Sequence, residues 1–179
     1  KKLIIDVGPK TSDVVFSWEN LYAYNRKILD PKVNRYFFVP NPVQLLVKHV
    51  PRAYTVRLRL HPEYPERGFK EYAIKPSEPG GEALFWVLAT GKIVRLMELF
   101  NIKVERVEAY SVEASFASES YEEAKKAEAP LIHWVPIGMD MPCQVVMPDA
   151  TVTEGIAEKA CKDLKPNDVV QFERFGFVR

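Results

Sequence analysis

Cysteine is nearly missing from this sequence: two in 179 residues, Cys143 and Cys161. Two thiols make no disulfide framework and show no metal-ligand spacing, so a reducing compartment is expected. Only three histidines occur, His49, His61 and His133, and none is spaced with a cysteine or carboxylate as a zinc site requires. No apolar run approaches the roughly 20 residues that cross a bilayer, and no signal peptide opens the chain. Together these absences predict a soluble, cytoplasmic protein with no membrane partner and no metal. An excess of charge is lacking too, because 25 basic residues face 24 acidic ones for a net +1. A non-specific polyanion binder carries a clear basic excess, so any nucleic-acid contact must come from a few placed residues. Phosphate-cradling glycine loops, serine elbows and paired helix histidines are also missing, which leaves no constellation for catalysis. The chain has no initiating methionine and ends in what reads as an unfinished strand. It is therefore expected to be a piece of something larger.

What the sequence does contain is apolar alternation broken by 14 prolines. Helical periodicity is confined to the start. "KKLIIDVG" reads as a helix tail closed by Gly8 with Pro9 beyond it. Ser17 can cap a second helix, "WENLYAYNRKIL", in which Trp18, Leu21, Tyr22, Asn25, Ile28 and Leu29 recur on one face until Asp30-Pro31 ends it. From Arg35 onward the period is two. "RYFFV", "VQLLVKH", "YTVRLRL", "FKEYAIK", "IVRLMELF", "IKVERVEAYSVEASF", "LIHWVP", "QVVMP" and "VVQFERFGFVR" read as strands separated by proline and glycine turns. "SYEEAKKAEA" fits a short helix or a solvated loop. Many short strands of this kind predict barrels instead of a parallel sheet. A boundary near Pro130 leaves a C-terminal piece too small for a core of its own. The expected organisation is a helical segment over 1–33, a barrel built from 34–60 plus 131–179, and a second barrel over 61–130 inserted into the first.

The closing hairpin raises a chemical question. Gln171 ends its first strand, Arg174 sits in the bend, and Gly176 offers the positive φ a bend can need. A glutamine amide both donates and accepts, and an arginine fork can hold a base carbonyl and a phosphate together. Phenylalanines beside them could shield or stack on a splayed base. The alternative is a polar hairpin tip whose aromatics face a core. Arg35 in "NRYFFVP" is a second candidate, whose alternative is a stem packed along a surface. Lys92 and Arg95 in "TGKIVRL" are a third, with a solvated basic strand as the alternative. Trp134 in "LIHWVP" reads as a barrel-filling core residue.

Three stretches occur together in one family. "SWENLYAYNRKILDPKVNRYFFV", "LIHWVP" and "DVVQFERFGFVR" resemble, in order and spacing across essentially the whole chain, the C-terminal half of archaeal-type glutamyl-tRNA synthetase. That family is related to the glutaminyl-tRNA synthetases. The resemblance implies a mainly β fold, two β-barrels of the glutaminyl/glutamyl anticodon-binding type preceded by a short helical stem-contact segment. It also implies that Arg35 and Gln171 hold the middle anticodon uridine, that Arg174 lies in the anticodon-binding region, and that Arg95, with Lys92 three residues before it, contacts the first base. Two positions depart from the glutaminyl pattern: basic residues of those relatives correspond to Val87 and Met97, and Trp86 or Phe85 could stack on a base there instead. The implied partner is tRNA(Glu), and tRNA(Gln) as well in an enzyme that charges both. The implied catalytic domain, with its HIGH-like and KMSKS-like signatures and its ATP and magnesium, would precede Lys1. This chain is thus expected to be inactive alone and to act by anticodon recognition. The alternative function is a protein-interaction module on the same barrel scaffold.

Overall fold

The computed structural model describes Gly8 and residues 17–78, 80–87 and 93–179. Of the expected helix tail "KKLIIDVG" only Gly8 lies among the described residues, with a left-handed backbone (φ 67). The chain divides into two units, Lys1–Val33 and Asn34–Arg179. In the first, helix α1 spans Trp18–Leu29. The Ser17 hydroxyl accepts from the Asn20 N–H at 3.3 Å, satisfying one of the donors that a helix start leaves open. Trp18 and Tyr22, one turn apart, stack at 6.0 Å. Asp30-Pro31 then tightens the chain into a single 3-10 turn, Asp30–Lys32.

The second unit is mainly β. In chain order its described strands are β1 (Arg35–Tyr36), β2 (Phe38–Pro40), β3 (Val43–Val50), β4 (Tyr54–Arg59), β5 (Phe69–Ile74), β6 (Gly81–Val87), β7 (Ile93–Leu96), β8 (Asn101–Val107) and β9 (Ser111–Ser118). A short helix α2 (Tyr121–Lys126), capped by Ser120, leads to β10 (Leu131–Ile132), β11 (Trp134–Pro136), β12 (Asp140–Val146), β13 (Val152–Glu158), β14 (Val170–Phe172) and β15 (Gly176–Val178).

Seven strands make one sheet in the order β10-β7-β8-β9-β3-β6-β11. Its two outer strands are consecutive in the chain and joined by His133 alone, so "LIHWVP" closes the sheet into a nearly complete barrel and leaves little open edge. The core follows from alternation. Along β6 the alternate residues Ala83, Phe85 and Val87 are buried and Leu84 is exposed. Trp134 fills the middle. It is fully buried, meets the edges of Phe85 (5.6 Å) and Tyr72 (5.2 Å), and donates its indole N–H to the Met97 carbonyl at 2.8 Å.

Three smaller sheets complete the unit: β12-β13-β2, β1-β14-β15 and the β4-β5 hairpin. Within the stretch 34–60, β1 and β2 pair with the C-terminal strands β14 and β13, whereas β3 pairs with β6 and β9. "IVRLMELF" is only half a strand. The chain turns after Leu96, with Leu99 N–H bonded to the Leu96 carbonyl and Glu98 in the left-handed region (φ 57). Two strands have weak sequence signatures. "GEALFWV" is β6 despite its Ala and Leu, and "VTEGIAE" is β13 despite a glycine. Gly155 is there for space: a Cβ at that position would lie 2.5 Å from the Phe38 ring and 2.6 Å from the Val39 carbonyl oxygen.

Candidate nucleic-acid interface

Two residues far apart in sequence meet in the three-stranded sheet β1-β14-β15. Strand β1 runs parallel to β14 with Arg35 opposite Gln171 and Tyr36 opposite Phe172. The ladder has a polarity that matters. Gln171 N–H donates to the Asn34 carbonyl (2.9 Å) and Glu173 N–H to the Tyr36 carbonyl (3.0 Å), so residues 34 and 36 turn their carbonyls toward β14. The peptide groups of Arg35 turn the other way. Its N–H donates to the Leu60 carbonyl at 2.7 Å, and its carbonyl accepts from the Lys70 ammonium at 3.0 Å.

The Gln171 side chain is half-buried. Its Oε1 is buried with no hydrogen-bond partner among the described residues. An unpaired buried amide oxygen costs on the order of 1–3 kcal/mol, so a donor that reaches it, from water or from a ligand, is favoured. One residue beyond β14 the chain turns over Glu173–Phe175, and Phe175 N–H closes the turn on the Phe172 carbonyl at 2.9 Å. The left-handed residue is Arg174 (φ 60), not the glycine, and Gly176 instead begins β15. A long side chain in that region is held against its preference. The exposed Arg174 is fixed by one bond, Nη1 to the Leu131 carbonyl at 2.7 Å, which ties the hairpin tip to the barrel seam. Phe172 and Phe175 face inward: Phe38 and Phe172 stack at 4.8 Å, with Phe175 edge-on at 4.8 Å to Phe38.

His133, the link between β10 and β11, lies 4.8 Å from the Phe37 ring, and its Nε2 is another buried atom with no partner among the described residues. Burial, and then the positive charges of Arg174 and Lys70, push its pKa down to about 4, so the imidazole is neutral at neutral pH. Lys70 and Glu158 form a buried ion pair, Nζ to the two carboxylate oxygens at 3.0 and 3.1 Å. Burial raises the Glu158 carboxyl, and the Lys70 charge opposes that rise.

Arg95 is in different surroundings. It is buried on β7, its Nη1 donates to Asn101 Oδ1 (2.9 Å) and the Glu119 carbonyl (3.2 Å), and its guanidinium lies 5.5 Å from the Tyr121 ring. Lys92 lies outside the described residues. Phe85 is buried in the barrel, and Trp86 is half-buried with an indole N–H that has no partner among the described residues. Arg35, Gln171 and Arg174 therefore gather at one small sheet, with Arg95 on another. Lys70 and Glu158 are the polar residues that sequence reasoning misses. Lys70 left a signal, since it alternates in phase with buried Tyr72 and Ile74. Glu158 left none, because its strand is hard to read. Among the described residues no three or more His, Cys, Asp or Glu side chains cluster as a metal site, and no helix is long and apolar enough to cross a membrane.

Comparison with known proteins gives a consistent result. Residues 33–118 and residues 131–179 each match a family model described as "tRNA synthetases class I (E and Q), anti-codon binding domain". Among curated proteins, the chain is 44% identical over its whole length to a glutamate–tRNA ligase of Pyrococcus abyssi. It is 41% identical over 97% of its length to that of Methanocaldococcus jannaschii, and 42% over 99% to that of Methanococcus maripaludis. The matched region is 31% of the first and third relatives and 30% of the second, so the chain spans about a third of the curated relatives it matches. With two anticodon-binding models tiling its β unit and archaeal relatives aligned from end to end, the chain belongs to the anticodon-binding region of the class I glutamyl/glutaminyl-tRNA synthetases.

Proposed function

We propose that this chain recognises the anticodon of tRNA(Glu), and serves a longer polypeptide that ligates L-glutamate to that tRNA with ATP and magnesium. The observation that carries the reading is the register of Arg35 against Gln171, with the buried Gln171 Oε1 left without a donor among the described residues. A uridine edge carries a donor at N3 flanked by carbonyls. Gln171 would accept from N3–H, and the arginines would donate to the carbonyls and the adjoining phosphate. Arg174 would approach from the bend. Lys92 and Arg95 are assigned to the first base, for which Arg95 exchanges bonds it now makes to Asn101 and Glu119. The near-neutral net charge of +1 fits recognition by placed groups instead of by a basic field. tRNA(Gln) shares the middle uridine and is a second substrate class for the same pocket. The cytoplasm is the compartment where such a tRNA is met.

The test is a titration at fixed low salt with a tRNA(Glu) transcript, matched and with the middle anticodon base changed. The base change weakens binding by about 1–3 kcal/mol, roughly five- to 150-fold. Gln171→Met abolishes that preference. Because Met also removes an unsatisfied buried oxygen, melting is unchanged or rises by about 1 kcal/mol in stability. Equal binding of both transcripts by the wild-type chain overturns the reading and favours a protein-binding role for the scaffold.

A further inference from the structure

We propose that the buried Lys70–Glu158 ion pair is a positioning device for base reading, which fixes the Arg35 backbone so that its side chain meets the same base as Gln171. The inference rests on the proposed anticodon role of Arg35 and Gln171. Strand β1 has a strand neighbour on one side only. Asn34 and Tyr36 turn their carbonyls to that neighbour, and the Arg35 carbonyl turns to the open side, where the Lys70 ammonium takes the place of a strand. A lysine on β5 thus completes the hydrogen bonding of the one residue in β1 that lies opposite Gln171.

An ammonium in a buried site needs an anion. Glu158, with no exposed surface, supplies both carboxylate oxygens, and its own N–H donates to the Phe37 carbonyl at 3.3 Å. Lys70 is also held over the Phe37 ring, 4.3 Å from its centroid. Three sheets therefore meet at Arg35: its own, the β4-β5 hairpin through Lys70, and β12-β13-β2 through Glu158. A buried ion pair is a poor source of stability compared with apolar residues of the same volume. Here it does something an apolar pair cannot, since only a cation with several donors can bond the Arg35 carbonyl and both Glu158 oxygens at once.

The experiment is a double-mutant cycle on base preference in the full chain. Preference is the ratio of affinities for the matched and middle-base-changed tRNA(Glu) transcripts. Lys70→Met/Glu158→Leu keeps volume and removes charge. It is expected to melt cooperatively, to keep its salt dependence of tRNA binding, and to lose at least fivefold in preference. In an Arg35→Ala background the same pair of changes costs less than twofold, because the group it positions is already gone. Retained preference in the double variant overturns the proposal, as do losses that multiply across the two backgrounds. If the double variant does not fold, Glu158→Gln alone decides. A two- to threefold loss that vanishes in Arg35→Ala supports positioning, and an unchanged preference refutes it. Absence of any preference in the wild-type chain overturns the anticodon reading itself, and the proposal with it. An intact wild-type preference with insensitive variants removes only the role of Lys70 and Glu158.

Discussion

The seven-stranded barrel and the β1-β14-β15 sheet use polar groups in opposite ways. In the barrel most of the described buried polar side chains have their partners at hand, the Trp86 indole N–H excepted. The Trp134 indole has the Met97 carbonyl, and buried Arg95 has Asn101 and the Glu119 carbonyl. In the small sheet Gln171 keeps a buried oxygen with no partner among the described residues, and Arg174 at its bend, like Glu98 beyond β7, holds a backbone conformation that suits glycine. The first region is assembled for cohesion. The second accepts cost at the positions where a ligand would repay it, which is where local rules are expected to fail in a functional protein.

The sharpest way to stress this contrast is Trp134→Ala. It empties the middle of the barrel and strands the Met97 carbonyl, and chemical denaturation should show a loss of about 3–5 kcal/mol. Base preference per folded molecule should survive. A change of similar rank but different cause involves His133, which lies at the seam between the regions. Its pKa is about 4 in the folded chain against 6.5 when exposed. Between those values the unfolded chain takes up a proton that the folded chain refuses, so stability is lost as the pH falls from about 6.5 toward 4. The full loss from this group is at most about 3 kcal/mol. Urea melts across that window should show the slope, and His133→Phe should flatten it. The smallest effect is at the hairpin tip. Arg174→Gly and Arg174→Ala both remove the bond to Leu131, and they differ only in how they tolerate φ 60. The glycine variant should be more stable by about 1 kcal/mol, measured as a difference in melting. Equal stabilities would mean that the bend carries no strain, and the contrast between the regions would weaken.

Much of this arrangement is legible in the sequence because strands with one buried face advertise their period. "FKEYAIK" alternates cleanly and forms β5, and "VQLLVKH", with its run of branched apolar residues, forms β3. Ser17 and Ser120 mark their helices through the capping chemistry of a hydroxyl. What is hidden is hidden for physical reasons. β13 carries Gly155 because Phe38 of the neighbouring strand β2 presses against it, and this close approach within the sheet overrides intrinsic preference. The left-handed bend falls on Arg174 although glycine is two residues away, because the register of β14 against β15 fixes which residue occupies the turn. Arg35 and Gln171 are recognisable as recognition chemistry from residue type, but only long-range pairing puts them opposite one another. Lys70 behind Arg35 was announced solely by its phase within a strand.

The single-residue link at His133 sets how the barrel can vary. A sheet whose two ends are joined by one residue has a fixed circumference in the arithmetic sense. Adding or deleting a residue between Ile132 and Trp134 would invert the in-out alternation of one end relative to the other, and Trp134 would turn from the interior to the outside. The segment can therefore change its side chains but not its length. Variation in length between relatives should collect where no such count is kept, as in the turns at 61–68 and 147–151. A gap inside Leu131–Pro136 would mark a chain whose barrel no longer closes.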